Sequence, residues 1–377
     1  MQTLDFLEDW IAKNSLPKYR AKQIYQAVTK NLISNWKEAI ELPRGWENTL
    51  EKELPISNLE VKTIIPDSRY NSGVVPTNAD TVKIAFSTHD DLTIESVLMR
   101  HLSTRPEQAT RNTVCVSTQV GCPMNCAFCA TGKMGFTRNL TAEEIVDQVL
   151  EFARILKQRA EKVTNIVFMG MGEPFLNYEN VMGAIKTLND NQGFNLGHRH
   201  MTISTSGIVP EILKFADEKI QVNLAVSLHA PNNKIRDSIM PVNKKYPLEK
   251  LLPAVSSYMQ KTNRKVFFEY ILLEGINDSD ENIIELIDLM RKNFANQMQL
   301  VHINLIEYNE IAPVGTGFTP AHKKGQPQGL PLQLGSPDHR KTKHIADLLQ
   351  RNKVLTTIRY RFGDDISAAC GQLAGSI

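Results

Sequence analysis

Cysteine is scarce in this chain. There are five in 377 residues, and three of them fall within eight positions. Other absences narrow the field further. No apolar run approaches the length that crosses a bilayer. Met1-Gln2-Thr3-Leu4-Asp5 lacks the basic-then-apolar layout of a secretory signal. Together with so few thiols, this points to a reducing, cytoplasmic setting. Neither sign of charge prevails: 43 Lys and Arg stand against 41 Asp and Glu, a formal +2, so any nucleic-acid surface must come from local clustering. No C-x2-C or H-x3-H pair stands elsewhere to close a zinc site, and no fixed-period repeat is evident. What remains is a composition ordinary for a globular protein, 42% apolar and 22% charged. The length suits a barrel-sized domain with a smaller one beside it.

The crowded thiols are Cys122, Cys126 and Cys129, at C-x3-C-x2-C spacing. The run before them, Thr113 to Val120, alternates and is rich in β-branched residues, so it reads as a strand. Thr141-x-x-Glu144 ahead of an apolar run signals a helix after them. Three thiolates from one short loop can each bind one iron of a 4Fe–4S cluster and leave the fourth iron open to a small chelating ligand. Structural zinc, by contrast, is normally closed by four protein ligands. A closed zinc site, an electron-transfer cluster and plain core cysteines are the competing readings.

Along the chain, residues 1–57 read as a helical accessory domain, with Leu4, Phe6, Leu7, Trp10 and Ile11 at helical spacing. Its second segment mixes Lys18, Arg20, Lys22 and Lys30 with Tyr19 and Tyr25. That is either a face for a nucleic-acid backbone or a solvated helix surface. Residues 58–111 read as a small β-extension and linker, with strands at Val61–Ile65, Thr81–Phe86 and Leu92–Met99, a turn-rich piece at Asn71-Ser72-Gly73 and a polar loop from Ser103 to Arg111. Residues 112–377 alternate strands with helical patterns, which predicts parallel βα units, about six of them, in a partial α/β barrel. The Pro- and Gly-rich stretch of about 311–338 is out of character and reads as a lid or a disordered loop.

Polar signatures stand at the ends of these strands, where barrel enzymes build their sites. Gly170-Met171-Gly172-Glu173-Pro174 puts two glycines and a carboxylate after the second strand. Ser204-Thr205-Ser206-Gly207, Ser227-Leu228-His229-Ala230-Pro231 and Tyr308-Asn309 end the third, fourth and sixth. Each alone is compatible with an ordinary turn. The other two cysteines, Cys115 and Cys370, are either buried structural thiols or a nucleophile with a resolving partner.

The triplet is the signature of the radical S-adenosylmethionine (SAM) superfamily, and the longer motifs are more specific. Cys115-Val-Ser-Thr-Gln-Val-Gly-Cys122, Gly-Met-Gly-Glu-Pro, Ser-Thr-Ser-Gly-Ile-Val-Pro, Ser-Leu-His-Ala-Pro-Asn, Met240-Pro-Val-Asn-Lys-Lys-Tyr-Pro247 and the Cys370 segment resemble the RlmN-type adenine-C2 RNA methyltransferases, relatives of the Cfr-type adenine-C8 enzymes. The resemblance implies a radical SAM barrel whose cluster sits on Cys122, Cys126 and Cys129, with two SAM per turnover. It carries SAM-binding positions onto Gly172, Glu173, Ser204, Ser227, Leu228, His229 and Asn309. Cys370 would become S-methylated. A methylene radical formed on it would add to the adenine carbon, and Cys115 would free the product by forming a disulfide with Cys370. Glu95, in Ile94-Glu95-Ser96-Val97, falls on the family's proton acceptor. The implied substrates are 23S ribosomal RNA and transfer RNA, the electron donor a reduced flavodoxin, and the chain a monomer. Candidate phosphate contacts are Lys18, Arg20, Lys22, Arg199, Lys244, Lys245, Arg359 and Arg361. C8 methylation, and an iron–sulfur protein that binds RNA without catalysis, are the alternatives.

Overall fold

The computed structural model describes residues 3–67, 80–101, 110–311 and 334–374. The Asn71-Ser72-Gly73 turn, most of the Ser103–Arg111 loop and most of the 311–338 stretch lie outside the described residues. The elements in order are α1 (Leu4–Lys13), α2 (Tyr19–Thr29), α3 (Glu47–Glu53), β1 (Leu59–Pro66), β2 (Thr81–Thr88), β3 (Thr93–His101), β4 (Arg111–Cys115), β5 (Gln119–Gly121), α4 (Ala130–Lys133), β6 (Phe136–Asn139), α5 (Ala142–Lys157) and β7 (Asn165–Phe168). They continue as α6 (Tyr178–Asn189), β8 (Met201–Thr205), α7 (Val209–Phe215), β9 (Asn223–Ser227), α8 (Asn233–Ile239), α9 (Leu248–Thr262), β10 (Val266–Leu272), α10 (Asp280–Phe294), β11 (Val301–Glu307), α11 (His339–Arg351) and β12 (Leu355–Ile358).

One ten-stranded sheet runs in the order β1-β2-β3-β4-β7-β8-β9-β10-β11-β12. From β4 onward every pairing is parallel, and α5, α6, α7, α9, α10 and α11 lie on the six crossovers between successive parallel strands. Parallel strands covered by helices read as near-continuous apolar runs, as Asn223-Leu-Ala-Val-Ser227 and Val266-Phe-Phe-Glu-Tyr-Ile-Leu272 do. The barrel stays open, because the sheet order ends at β12 and does not return to β4. On the β4 side the sheet goes on through antiparallel β3, β2 and β1. The expected β-extension is therefore continuous with the barrel wall.

The strand expected over Thr113–Val120 is two pieces. β4 ends at Cys115, and β5 pairs instead with β6 in a separate two-stranded sheet. Ser117 explains the break. Its amide donates to Gln148 Oε1 at 2.8 Å and its hydroxyl to the Glu95 carbonyl at 2.6 Å, which takes the chain off the ladder. Helix α5 begins with a capping box, in which Thr141 Oγ1 accepts from the Glu144 amide and Glu144 Oε2 accepts from the Thr141 amide. Its Ile145, Val149, Phe152 and Leu156 are buried at helical spacing. The N-terminal helices dock at the far end of α5 and α6. Arg154 and Lys157 donate to the Ile33 and Asn31 carbonyls, and Gln26 donates to the Gln192 carbonyl.

Removing the cap tests this reading of α5. Thr141→Ala is expected to cost about 1 kcal/mol in urea unfolding, with an unchanged slope.

Candidate active site

The C-terminal rim of the parallel strands gathers the signatures. Cys115 closes β4, Gly170–Pro174 follows β7, Ser204 is the penultimate residue of β8, Ser227 ends β9, and Tyr308-Asn309 follows β11. The residues after β12 complete the ring. Arg359 leaves the strand with its amide bonded to the Leu305 carbonyl and its guanidinium 3.5 Å from Glu269 on β10.

Main-chain bonds fix the cysteine loop at several points. The Cys122 amide donates to the Gly135 carbonyl at 2.7 Å, Ala127 to Ile239 at 2.9 Å, and Ala130 to Gly371 at 2.8 Å. Cys122 and Cys126 are buried and Cys129 is half-buried. All five cysteines are free thiols. Among the described residues, no three His, Cys, Asp or Glu side chains gather around a single point as ligands of one ion would. Burial pushes the Cys122 thiol up to about 12 and Cys126 well above its ordinary value. Such thiols stay protonated unless a bound cation offsets their desolvation. Three sulfur donors on one loop fit the corners of an iron–sulfur cluster.

The Glu173 carboxylate beside this loop is 3% exposed, and burial raises it above the usual range even though the Ser206 and Phe175 amides donate to it at 2.6 and 3.0 Å. It has no ion-pair partner among the described residues. A buried carboxylate without a cation is costly, so the site fits a ligand that brings an ammonium group, as an amino-acid moiety does. Gly172 sits at φ +109°, and a Cβ there would stand 2.7 Å from the Gln119 Cβ. That contact holds the loop flat against Gln119, whose Oε1 accepts from the Glu173 amide at 2.8 Å.

His229 and Leu228 serve more as scaffold than their positions imply. His229 lies in the left-handed region at φ +57°, and its Nδ1 accepts from the Ile271 amide at 3.0 Å. Its ring packs edge-on against Phe128 of the cysteine loop, centroids 4.8 Å apart. Burial, then Arg236, lowers it to about 3, so it is neutral through the physiological range. Leu228 and His229 both donate their amides to the Glu269 carbonyl.

Arg236, a residue that sequence reasoning missed, ties these loops together. It is fully buried, at 0% exposure. It donates to the carbonyls of Ser206, Ser227 and Leu228 at 2.7–3.1 Å and to Asn243 Oδ1 at 2.8 Å. Burial lowers its guanidinium to about 10, which leaves it charged. Asn243 lies in the Met240–Pro247 run, so that motif completes the cage around Arg236. The signal was an arginine inside the short helical run Asn233–Ile239, which sequence reasoning did not assign.

Cys115 and Cys370 come together from opposite ends of the barrel sequence. Burial, then the neighbouring Cys370, pushes Cys115 up to about 12. Burial raises the Cys370 thiol to about 11, although the residue as a whole is exposed. Arg359 opposes that rise, while Glu269 and Cys129 add to it. The Cys370 segment also lies against the cysteine loop, where the Ala130 amide donates to the Gly371 carbonyl at 2.8 Å. The segment is pinned by Asn309 Nδ2 to the Cys370 carbonyl at 3.2 Å, Thr131 Oγ1 to the Leu373 carbonyl at 2.5 Å, and Gln372 Nε2 to the Glu310 carbonyl at 2.9 Å. Arg361 holds Asn309 in turn, Nε to Oδ1 at 2.7 Å. Glu95 is buried at 1% exposure, paired with Lys83. Of the candidate phosphate contacts, Lys18, Lys22, Lys244 and Lys245 are exposed. Arg20 is half-buried, Arg199 precedes β8 on the opposite end of the barrel, and Arg359 turns into the thiol site.

The Radical SAM superfamily model matches residues 116–287. A Clostridium novyi (strain NT) protein named probable dual-specificity RNA methyltransferase RlmN is 40% identical over 98% of this chain and 96% of its own length. A Spiroplasma citri protein of the same name is 40% identical over 96% and 93%. The crystal structure of a radical SAM methyltransferase from Sphaerobacter thermophilus superposes with a TM-score of 0.85 at 40% identity, over 100% of this chain and 98% of that one.

Two measurements check this geometry. Arg236→Met leaves several buried carbonyls without a donor and is expected to cost roughly 3 kcal/mol or more in thermal or urea unfolding. For Arg359 the sign follows from its charge: the guanidinium favours thiolate, so its loss raises the neighbouring thiols. In a Cys115→Ser background, the pH profile of Cys370 alkylation, centred near about 11, is expected to move to higher pH on Arg359→Met.

Proposed function

Since the chain belongs to the RlmN family of dual-specificity RNA methyltransferases within the radical SAM superfamily, we propose that it methylates C2 of adenosine in 23S ribosomal RNA and of the adenosine just 3′ of the anticodon in transfer RNA. Cys122, Cys126 and Cys129 would hold a 4Fe–4S cluster. Gly172, Glu173, Ser204, Ser227, Leu228, His229 and Asn309 would line the SAM site. When bound, cluster and SAM supply a methyl group and a radical able to take a hydrogen atom from it. The single observation that carries the reading is the placement of the Cys370 segment, which is bonded to the cysteine loop through the Ala130 amide and the Gly371 carbonyl and to Glu95, on the strand beside Cys115, through the Ala374 amide.

Adenine C2 is an electron-poor aromatic carbon and does not attack a methyl cation donor as an amine does. A thiol that carries the methyl group and delivers it as a methylene carbon removes that obstacle. Cys370 takes this role, next to the cysteine loop where the radical is needed. Glu95 takes the C2 proton, and the adduct's unpaired electron would return to a bound cluster, oxidised when the radical was made. Cys115 then attacks the Cys370 sulfur. The S–S bond forms, the S–C bond breaks, and the released carbon takes up a proton to become methyl. Both thiols are raised by burial, so the attack needs the nearby Arg359 to favour the thiolate. The target base must leave its stack to enter the rim. Reduced flavodoxin is the proposed electron source, and a cytoplasmic monomer the proposed form. No helix among the described residues is long and apolar enough to cross a membrane.

Nucleoside analysis of RNA after turnover tests the reading. The expected product is 2-methyladenosine; 8-methyladenosine would place the enzyme with the C8 branch, and no methylated adenosine would leave RNA binding without catalysis. In Cys115→Ala, RNA is expected to stay covalently attached to Cys370.

A further inference from the structure

One buried ion pair lies outside the cluster and SAM positions. Lys83 on β2 and Glu95 on β3 are near neighbours across the antiparallel ladder, where Ala85 faces Glu95 and Lys83 faces Val97. Lys83 is 5% exposed and Glu95 1%, with Nζ 3.1 Å from Oε1. The same ammonium group and the second carboxylate oxygen reach the Cys370 segment on both sides of the cysteine. Lys83 Nζ donates to the Ser367 carbonyl at 3.3 Å, and the Ala374 amide donates to Glu95 Oε2 at 2.9 Å. The pair thus brackets Cys370, three residues before it and four after.

Stability alone is a weak reason for such a pair. Buried ion pairs often contribute nothing over apolar residues of the same size, and every position of β2 from Thr81 to Thr88 is buried, as an apolar strand would be. The location is more telling. Val97 faces Cys115 across β3 and β4. Glu95, two residues from Val97, therefore presents its carboxylate on the same face of the sheet as the Cys115 thiol.

We propose that Lys83 is a positioning residue that, through Glu95, clamps the Cys370 segment, and that proton uptake by Glu95 opens the clamp. This rests on the assignment of Glu95 as acceptor of the C2 proton. In that step the C–H bond breaks, an O–H bond forms on Glu95, and the bonding pair stays in the adenine ring. The neutral acid no longer balances Lys83, and it is a weaker acceptor for the Ala374 amide. The same proton transfer that prepares the adduct for release then frees the segment whose sulfur Cys115 must reach. Deprotonation and disulfide formation are thereby ordered.

Backbone hydrogen exchange of the Cys370 segment, in cluster-loaded protein without RNA, reads the clamp directly. Glu95→Gln copies the protonated state. It and Lys83→Met are expected to speed exchange of the Ala368–Ala374 amides about tenfold, with the β8–β10 amides unchanged and Lys83→Arg close to wild type. With RNA, Lys83→Met should lower kcat and leave KM for RNA unchanged, which a purely structural loss would not do. Wild-type exchange in Glu95→Gln overturns the clamp. Faster exchange in Glu95→Gln, with the C2 hydrogen still lost from the RNA adduct trapped in a Cys115→Ala background, keeps the clamp and instead overturns Glu95 as the proton acceptor. If Lys83→Met does not fold, Glu95→Gln and Lys83→Arg still decide the question.

Discussion

The gap between β12 and β4 is the constraint on which the site depends. A closed barrel would fill that gap with further hydrogen-bonded strands. Here the chain leaving β12 crosses toward the extension strands: Gly363, at φ +64°, lies so close to Thr81 that a Cβ would stand 2.8 Å from its methyl group. The segment then runs past Lys83 and Glu95 and along the cysteine loop, where the Ala130 amide meets the Gly371 carbonyl. Cys370 reaches the rim because this segment substitutes for the missing wall. Side-chain and main-chain hydrogen bonds hold it, and no strand ladder does. A tether of that kind opens locally at lower cost than a central strand, which suits the proposed role of Cys370, in which its sulfur meets a methyl donor, a base and a second thiol in turn.

Charge is distributed accordingly. Arg236 sits beneath the loops that follow β8 and β9 and satisfies carbonyls that strand ends would otherwise leave unpaired. Arg359 stands at the thiols; its charge is favoured first by Glu269 and then by Cys370 and Cys115. Glu173 is the one of these groups left without a counter-charge among the described residues, and it lies where the ligand's ammonium group is proposed to bind.

Much of this was legible in the sequence. The alternation of β-branched runs with helical patterns placed the six crossovers, because strand and helix periods differ and the inner parallel strands are largely buried, β12 at the edge excepted. The cysteine spacing and the polar strand ends located the rim. The rest depended on contacts between residues far apart in the chain. Nothing near Glu95 announces Ala374, and nothing near Thr131 announces Leu373. Lys83 and Glu269 did leave a trace, as charges inside apolar strands, Thr-Val-Lys-Ile-Ala-Phe and Val-Phe-Phe-Glu-Tyr-Ile. Arg359 shows the opposite failure: a basic residue beside Tyr360 and Arg361 looks like a phosphate contact until the strand ending before it turns it inward. The split of Thr113–Val120 follows from Ser117 bonding to Gln148, thirty-one positions away, which local alternation does not reveal.

The account stands on Cys370 as the carrier of the methyl group. Peptide mass spectrometry of the segment containing Cys370, from protein isolated with its cluster intact, tests this most directly. The account predicts a single methyl on the Cys370 sulfur and none on Cys115. An unmodified Cys370, in protein shown to carry its cluster and to bind SAM, would contradict it and return both thiols to a structural role.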